Sequence, residues 1–582
     1  MKTPKNIFTL LLCINSLAII LLFGHNFNQF DNRNLQINHT INESLETSLH
    51  FRDPVMAYKI LSALDVFEPI DLGLSAKRTK MYYTQGPFLG LQTDDNYCDK
   101  HRAFFVFNPE VILQRKNFIM SGHLGSKLRH QILPEIGAND TMPHVRGSMK
   151  NSFVDKQLFE IRLDTQIFVM SSVFFREVGR HYSCLTQVSN HIPGHDDLYI
   201  KDRATMAMLR YKQKYGSEPQ CFDTNYHFPP TWSLNNKQQC QEFFEEFNSP
   251  SYQKLKQERK IVYFRKIGEG AHQGSGVFPV DDIEEVKIRN QYKNGTLCGQ
   301  VYSNTLMQYY IHNPLLINGH KADLRMFVIV ASTNPLIAYY SDGYLTISLA
   351  KFDANSSVKG AFVTNSDVAK KLLLDSQKNG MYQGMTEKDL WEQTLWTYES
   401  FQRYLLEEGI ITDPNWLDNY LRPSLKKMAL HLIRMAQPKF AKISSVYEIY
   451  GVDLVLDDEL NIWFIEANVN PDLEDYPQEI DNTLKNLLKN TLEVQFGLLR
   501  SRTRRIINYI NELISTGNAW QGREGEIYLQ DLKSKQMEFK NITRNYFEPE
   551  FEPAPKQDFP KIIDENLSGT GVYFGVISSQ CL

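Results

Sequence analysis

The stretch that most constrains this chain runs from Tyr450 to Pro471, Tyr-Gly-Val-Asp-Leu-Val-Leu-Asp-Asp-Glu-Leu-Asn-Ile-Trp-Phe-Ile-Glu-Ala-Asn-Val-Asn-Pro. Two apolar runs, rich in β-branched and aromatic residues, flank the polar Asp457-Asp458-Glu459, which is the pattern of a β-hairpin. A loop over residues 457–460 would set Leu456 opposite Asn461 and Asp453 opposite Phe464. Asp453 and Glu466 then share a face as diagonal neighbours, roughly 7–8 Å apart. Asn468 keeps the same parity. Acidic residues in a hairpin turn are ordinarily just solvated, and that accounts for Asp457, Asp458 and Glu459. Asp453 and Glu466 interrupt apolar strands instead, where an unpaired carboxylate is costly. Two carboxylates and an amide on a rigid hairpin make a set of hard oxygen ligands. Magnesium that also holds substrate phosphates uses such a set; a structural role for the pair is the alternative.

Upstream segments add to this. Lys260 to Lys266 reads as a strand ending in the cations Arg265 and Lys266, followed by the glycine-rich run Gly268 to Val277. Strand, cation and glycine loop make a phosphate cradle, though no Walker motif is present, and a plain flexible loop is the other reading. Leu306 to Ile311 is a short strand. In Lys321-Ala-Asp323-Leu-Arg325, alternation places three charges on one face of a further strand, against the simpler reading of an exposed sheet face. Ala103 to Phe107 and Gln166 to Met170 read as strands, Thr205 to Tyr215 and Gln238 to Phe247 as helices. Helices dominate from Val368 to Phe440. The basic face of Leu421 to Lys442 is the best candidate patch for an acidic peptide, with a second cluster at Arg500, Arg502, Arg504 and Arg505.

Taken in order, Phe228-Pro-Pro-Thr-Trp-Ser-Leu, the cation–glycine block, Gln308-Tyr-Tyr310-Ile, Lys321-x-Asp323-x-Arg325, Phe362-Val-Thr364-Asn365 and the hairpin resemble the tubulin–tyrosine ligase-like family. The resemblance implies an ATP-grasp fold and an ATP- and Mg2+-dependent ligase that adds an amino acid to a protein carboxylate through an acyl phosphate. It implies Lys266 on the phosphates and Gln308 and Tyr310 on the adenine hinge. Lys321, Asp323 and Thr364 would line the nucleotide, with Lys321 and Arg325 as the catalytic cations. Asp453, Glu466 and Asn468 match the metal ligands. Two positions depart from the family pattern: Thr346 replaces an arginine and Phe362 a histidine. The donor therefore stays open among glutamate, glycine and tyrosine. The partners implied are tubulin or another acidic protein tail and a free amino acid. An inactive nucleotide-binding relative and a type II lumenal glycosyltransferase are the alternatives.

Ile7 to Gly24 is an almost unbroken apolar run, roughly 27 Å long as a helix. It reads as an uncleaved membrane anchor, with a signal sequence as the rival. The expected organisation is a membrane anchor or signal sequence over 1–25, a polar tether over 26–80 and an N-terminal α/β region over 81–250. An α+β ATP-grasp core over 251–495 and a C-terminal extension over 496–582 follow. The expected location is membrane-anchored and single-pass, with the large domain in the cytosol at cilia or microtubules. Cys98, Cys184, Cys221, Cys240, Cys298 and Cys581 would then be reduced. The sequons at Asn38, Asn42, Asn139, Asn294, Asn355, Asn541 and Asn566 would be unmodified. A net charge of −4 provides no global field for nucleic acid.

Overall fold

A computed structural model describes residues 49–64, 95–120, 126–140, 163–169, 184–215, 226–268, 276–302, 304–354, 361, 363–364, 366–379, 382–469, 471, 473 and 476–567. Its N-terminal strands, β1 (Asn117–Met120), β2 (Asn139–Asp140), β3 (Ile167–Val169) and β4 (Val188–Asn190), pair in parallel. Helix α1 (Lys201–Tyr215) and the short β5 (Tyr226–His227) follow. A separate antiparallel sheet has the order β6-β9-β7-β8, formed by β6 (Thr231–Ser233), β7 (Tyr263–Ile267), β8 (Val277–Pro279) and β9 (Thr305–Tyr309). Helices α2 (Lys237–Phe247) and α3 (Asp282–Tyr292) belong to this small lobe. Both are N-capped as their sequences dictate: Asn236 accepts from the amide of Gln239, and Asp281 from that of Glu284.

The remaining strands are β10 (Leu316–Ile317), β11 (His320–Thr333), β12 (Leu336–Ile347), β13 (Leu395–Trp396), β14 (Val446–Leu456) and β15 (Ile462–Val469). Together with β1–β5 and the late strand Lys561–Asp564 they form one twelve-stranded mixed sheet. At its centre β14 pairs antiparallel with β11 and β15, and through Val446 and Tyr447 in parallel with β4. The sheet is buried on both sides, which explains the near-continuous apolar runs of its central strands. Along β11, Met326, Val328 and Val330 enter one core with Leu425, Met428 and Leu432 of α4 (Arg422–Ala436). Phe327, Ile329 and Ala331 enter the other, with Leu484, Leu487 and Leu488 of the 38-residue α5 (Gln478–Ser515).

Several expectations need correction. The fold is a mixed α/β arrangement around a large sheet, and among the described residues no helix is long and apolar enough to cross a membrane. Even the longest, α5, carries Lys485, Lys489, Glu493 and Arg500 along its length and spends its apolar face on the sheet. The transmembrane helix of the expected fold, the single-pass localisation read from it and the membrane as partner are withdrawn. The Ile7 to Gly24 run itself lies outside the described residues. Ala103 to Phe107 belongs to a helix, Asp95–Phe107. Its buried positions 101, 102, 105 and 106 follow a helical stripe that a five-residue apolar window cannot reveal. Cys240 and Cys298, expected as thiols, form a disulfide with Cα atoms 5.6 Å apart, and Cys184 is also disulfide-bonded.

Candidate active site

The hairpin forms with a different register. Leu456 pairs with Ile462 and Leu454 with Phe464. A bulge between Leu454 and Asp453 then brings Asp453 directly opposite Glu466. Asp457 sets the turn. Its carboxylate accepts from the amides of Glu459 (3.0 Å) and Asn461 (2.8 Å), from Asn461 Nδ2 (3.0 Å) and from Trp463 Nε1 (2.9 Å). It is a structural knot where plain solvation was expected. The extra residue of the turn and the bulge that follows convert a diagonal relation into a face-to-face one.

Asn468 joins the pair, donating through Nδ2 to Asp453 Oδ2 (2.9 Å) and, at 3.5 Å, to Glu466 Oε1. Burial pushes the Asp453 carboxyl up, the Glu466 charge adds to this, and Arg325 opposes it. Burial would raise Glu466 too, but Lys201 and Lys266 outweigh it and hold Glu466 down. Arg325 makes a bidentate pair with Asp453, both contacts at 2.7 Å, from the neighbouring strand β11. Its guanidinium lies 5.9 Å from the Tyr344 ring. Lys321 Nζ contacts Asp323 Oδ1 at 2.7 Å, and the Thr364 hydroxyl donates to the other oxygen of Asp323. The three-charge face of this strand is therefore internally paired and only partly accessible.

Residues 265 and 266 point to opposite faces of β7, as alternation requires. Arg265 pairs with Glu284 on α3 and lies over Phe278. Lys266 lines the cleft beside Glu466, Gln308, Lys201 and Thr231. Lys266 is 6% exposed, and among the described residues no carboxylate lies within ion-pair distance of it. Burial lowers its pKa to about 8. Gln308 donates to Thr231 Oγ1 at 3.0 Å. Tyr310 is buried against Phe264, and its amide donates to Val262 O at 3.0 Å. Both sit where the small sheet hands over to the large one. Residues 269–275 of the glycine-rich loop, and Phe362, lie outside the described residues.

Sequence reading missed Lys201, whose Nζ stands 3.0 Å from Glu466 Oε2. It lies at the first turn of α1, before the expected helix start at Thr205. It also missed a buried cluster behind the site. His191 Nδ1 and His195 Nδ1 lie 3.0 and 3.2 Å from the same oxygen of Glu448. Those two rings hold Glu448 well below the carboxylate range although burial opposes its charge. A carboxylate inside the apolar run Val446 to Tyr450 was the available signal. Some cations of the two proposed patches for an acidic peptide are already engaged within the fold. Arg422 pairs with Asp342, Glu399 and Asp418. Arg505 donates to the carbonyls of Ile542, Arg544 and Tyr546.

No cluster of three or more His, Cys, Asp or Glu side chains suited to a metal exists among the described residues. Asp453, Glu466 and Asn468 fit magnesium in its other mode, in which one or two carboxylates are completed by water and substrate phosphates. Lys266 fits a phosphate, since a buried cation without an ion pair among the described residues is stabilised by an arriving anion.

The sequence pattern of the "Tubulin-tyrosine ligase family" matches residues 179–503. Human "Inactive polyglycylase TTLL10" is 25% identical over 290 residues, 48% of this chain and 39% of that protein. Mouse "Tubulin monoglutamylase TTLL4" is 26% identical over 316 residues, 52% of this chain and 22% of that protein. Mouse "Probable tubulin polyglutamylase TTLL2" is 25% identical over 323 residues, 54% of this chain and 52% of that protein. The chain thus spans well under two thirds of the length of these relatives.

Proposed function

The chain belongs to the tubulin-tyrosine ligase family, and from that premise we propose that it is an ATP- and magnesium-dependent ligase that joins an amino acid to a protein carboxylate. The observation that supports this best is the buried Lys266 facing the cleft across from the Asp453–Glu466 pair. An anion site beside a divalent-cation site is what phosphoryl transfer from a nucleotide requires. In the reaction the γ-phosphoryl group passes to the acceptor carboxylate and ADP leaves. The amine of the incoming amino acid then attacks the acyl phosphate, phosphate departs and the amine gives up a proton.

In this reading Lys266 and Lys321 steady the phosphates, Asp323 and Thr364 line the nucleotide, and Gln308 and Tyr310 hold adenine at the hinge. Asp453, Glu466 and Asn468 hold magnesium, which neutralises charge on the transferring group. Arg325 orients Asp453 and is assigned to the acyl substrate. The donor is glutamate, glycine or tyrosine. The acceptor is tubulin or another acidic protein tail; the names of two of the relatives specify tubulin.

Glu466→Gln tests the reading, because it keeps shape and removes one charge from the metal set. ATP-dependent incorporation of labelled amino acid into an acidic acceptor should fall on the order of 100-fold or more, with the circular dichroism spectrum unchanged. Asp458→Asn in the exposed turn is the control. Full turnover in Glu466→Gln would remove Glu466 from the chemistry.

A further inference from the structure

The small lobe carries two marks of an environment that the ligase reading does not require. Cys240 on α2 and Cys298 in the turn after α3 are joined, and both are buried with Phe243, Phe244 and Tyr292. A bridge sealed in a core forms during folding and persists where the surroundings are oxidising; thiol pools of reducing compartments keep such cysteines apart. A third described cysteine, Cys184, is disulfide-bonded as well. Between α3 and Cys298 lies the sequon Asn294-Gly295-Thr296. It sits in a tight turn in which Lys293, Asn294 and Gly295 have φ values of 44°, 51° and 94°. Asn294 and Thr296 are exposed. The side-chain contact to Asn294 comes from Arg289 Nη1, at 3.5 Å, and goes to Oδ1. Its Nδ2, the atom that carries an N-glycan, makes no hydrogen bond among the described residues.

Two other sequons differ. Asn566 Nδ2 donates at 3.0 Å to Asn545 O and to Asp564 Oδ1, and Asn139 Nδ2 at 3.4 Å to Asn117 Oδ1. Their amide nitrogens are already engaged in the fold. The location of Asn294 also leaves the cleft open. Helix α3, which it follows, pairs through Glu284 with Arg265, on the face of β7 opposite to Lys266.

We propose that this domain matures in an oxidising, glycosylating compartment, where Cys240 and Cys298 are linked and Asn294 carries an N-linked oligosaccharide. The two thiols give up two protons and two electrons to a disulfide-carrying oxidoreductase, whose own disulfide is reduced. Asn294 Nδ2 displaces the diphosphate of a lipid-linked oligosaccharide, forming the N–C bond and losing a proton as the glycosyl–phosphate bond breaks. If the ligase reading holds, the acceptor is then an acidic protein of that same compartment, which cytosolic tubulin is not.

The test uses the full chain made in a eukaryotic cell and needs no ligase activity. Alkylation before reduction, then peptide mapping, should recover the Cys240 and Cys298 peptides linked and unalkylated. Peptide N-glycosidase in heavy-oxygen water should convert Asn294, and not Asn566, to labelled Asp. Thr296→Ala should abolish one glycan shift on a gel and Thr296→Ser should retain it. Alkylated Cys240 and Cys298 in the folded chain would overturn the compartment. Linked cysteines with unlabelled Asn294 would overturn the modification site.

Discussion

Glu448 meets the same requirement that singled out Asp453 and Glu466: a carboxylate inside an apolar strand needs partners. It finds them in His191 and His195, which its own strand could not reveal. Its carboxyl is held below its ordinary value of 4.5. The resulting stability is fully present above that value and is lost as pH falls towards the depressed one. Glu448→Gln should therefore cost roughly 3 kcal/mol at pH 7, as breaking a buried pair does, and should flatten the acid limb of the stability curve. Urea midpoints from pH 7 to pH 3 check both; parallel curves would deny the pairing. Gly343 carries a second residue-scale prediction. It lies within β12, and a Cβ there would stand 2.2 Å from the carbonyl oxygen of Arg325. Neither strand can yield without shifting Arg325 from Asp453. Gly343→Ala should lower stability by about 2 kcal/mol or more, measured by thermal melting. Unchanged melting would show that the strands can separate freely.

Among the elements, the hairpin β14–β15 was legible in type and its register was not. Alternation predicts a hairpin, but the bulge that sets Asp453 opposite Glu466 depends on the four hydrogen bonds gathered by Asp457. Helix α5 shows the reverse case. Its arginines read as a basic patch, yet Arg502 and Arg505 are buried, and Arg505 caps three carbonyls of the chain that returns over the helix. Arg505→Ala leaves those acceptors without a donor and should cost on the order of 2 kcal/mol. The amides around Thr543 to Phe547 should exchange faster, read by hydrogen exchange. Protection equal to that of the parent would return Arg505 to a surface role.

For the whole molecule, the sequence by itself determined the family, the central strands and the carboxylates that interrupt their apolar runs. Local pattern carries this information, because apolar alternation fixes which side chains share a face and carboxylates within apolar runs advertise a need for partners. Only the tertiary structure decided who those partners are. It paired Arg265 with Glu284 on the other face of its strand and added Lys201 to the cleft from a distant helix. It joined Arg325 to Asp453 across two strands far apart in the chain, and it closed Cys240 onto Cys298. Each of these is a contact between segments whose approach is set by burial against the large sheet or in the core of the small lobe. No window along the chain contains that condition, so a residue could be singled out in advance while its partner could not.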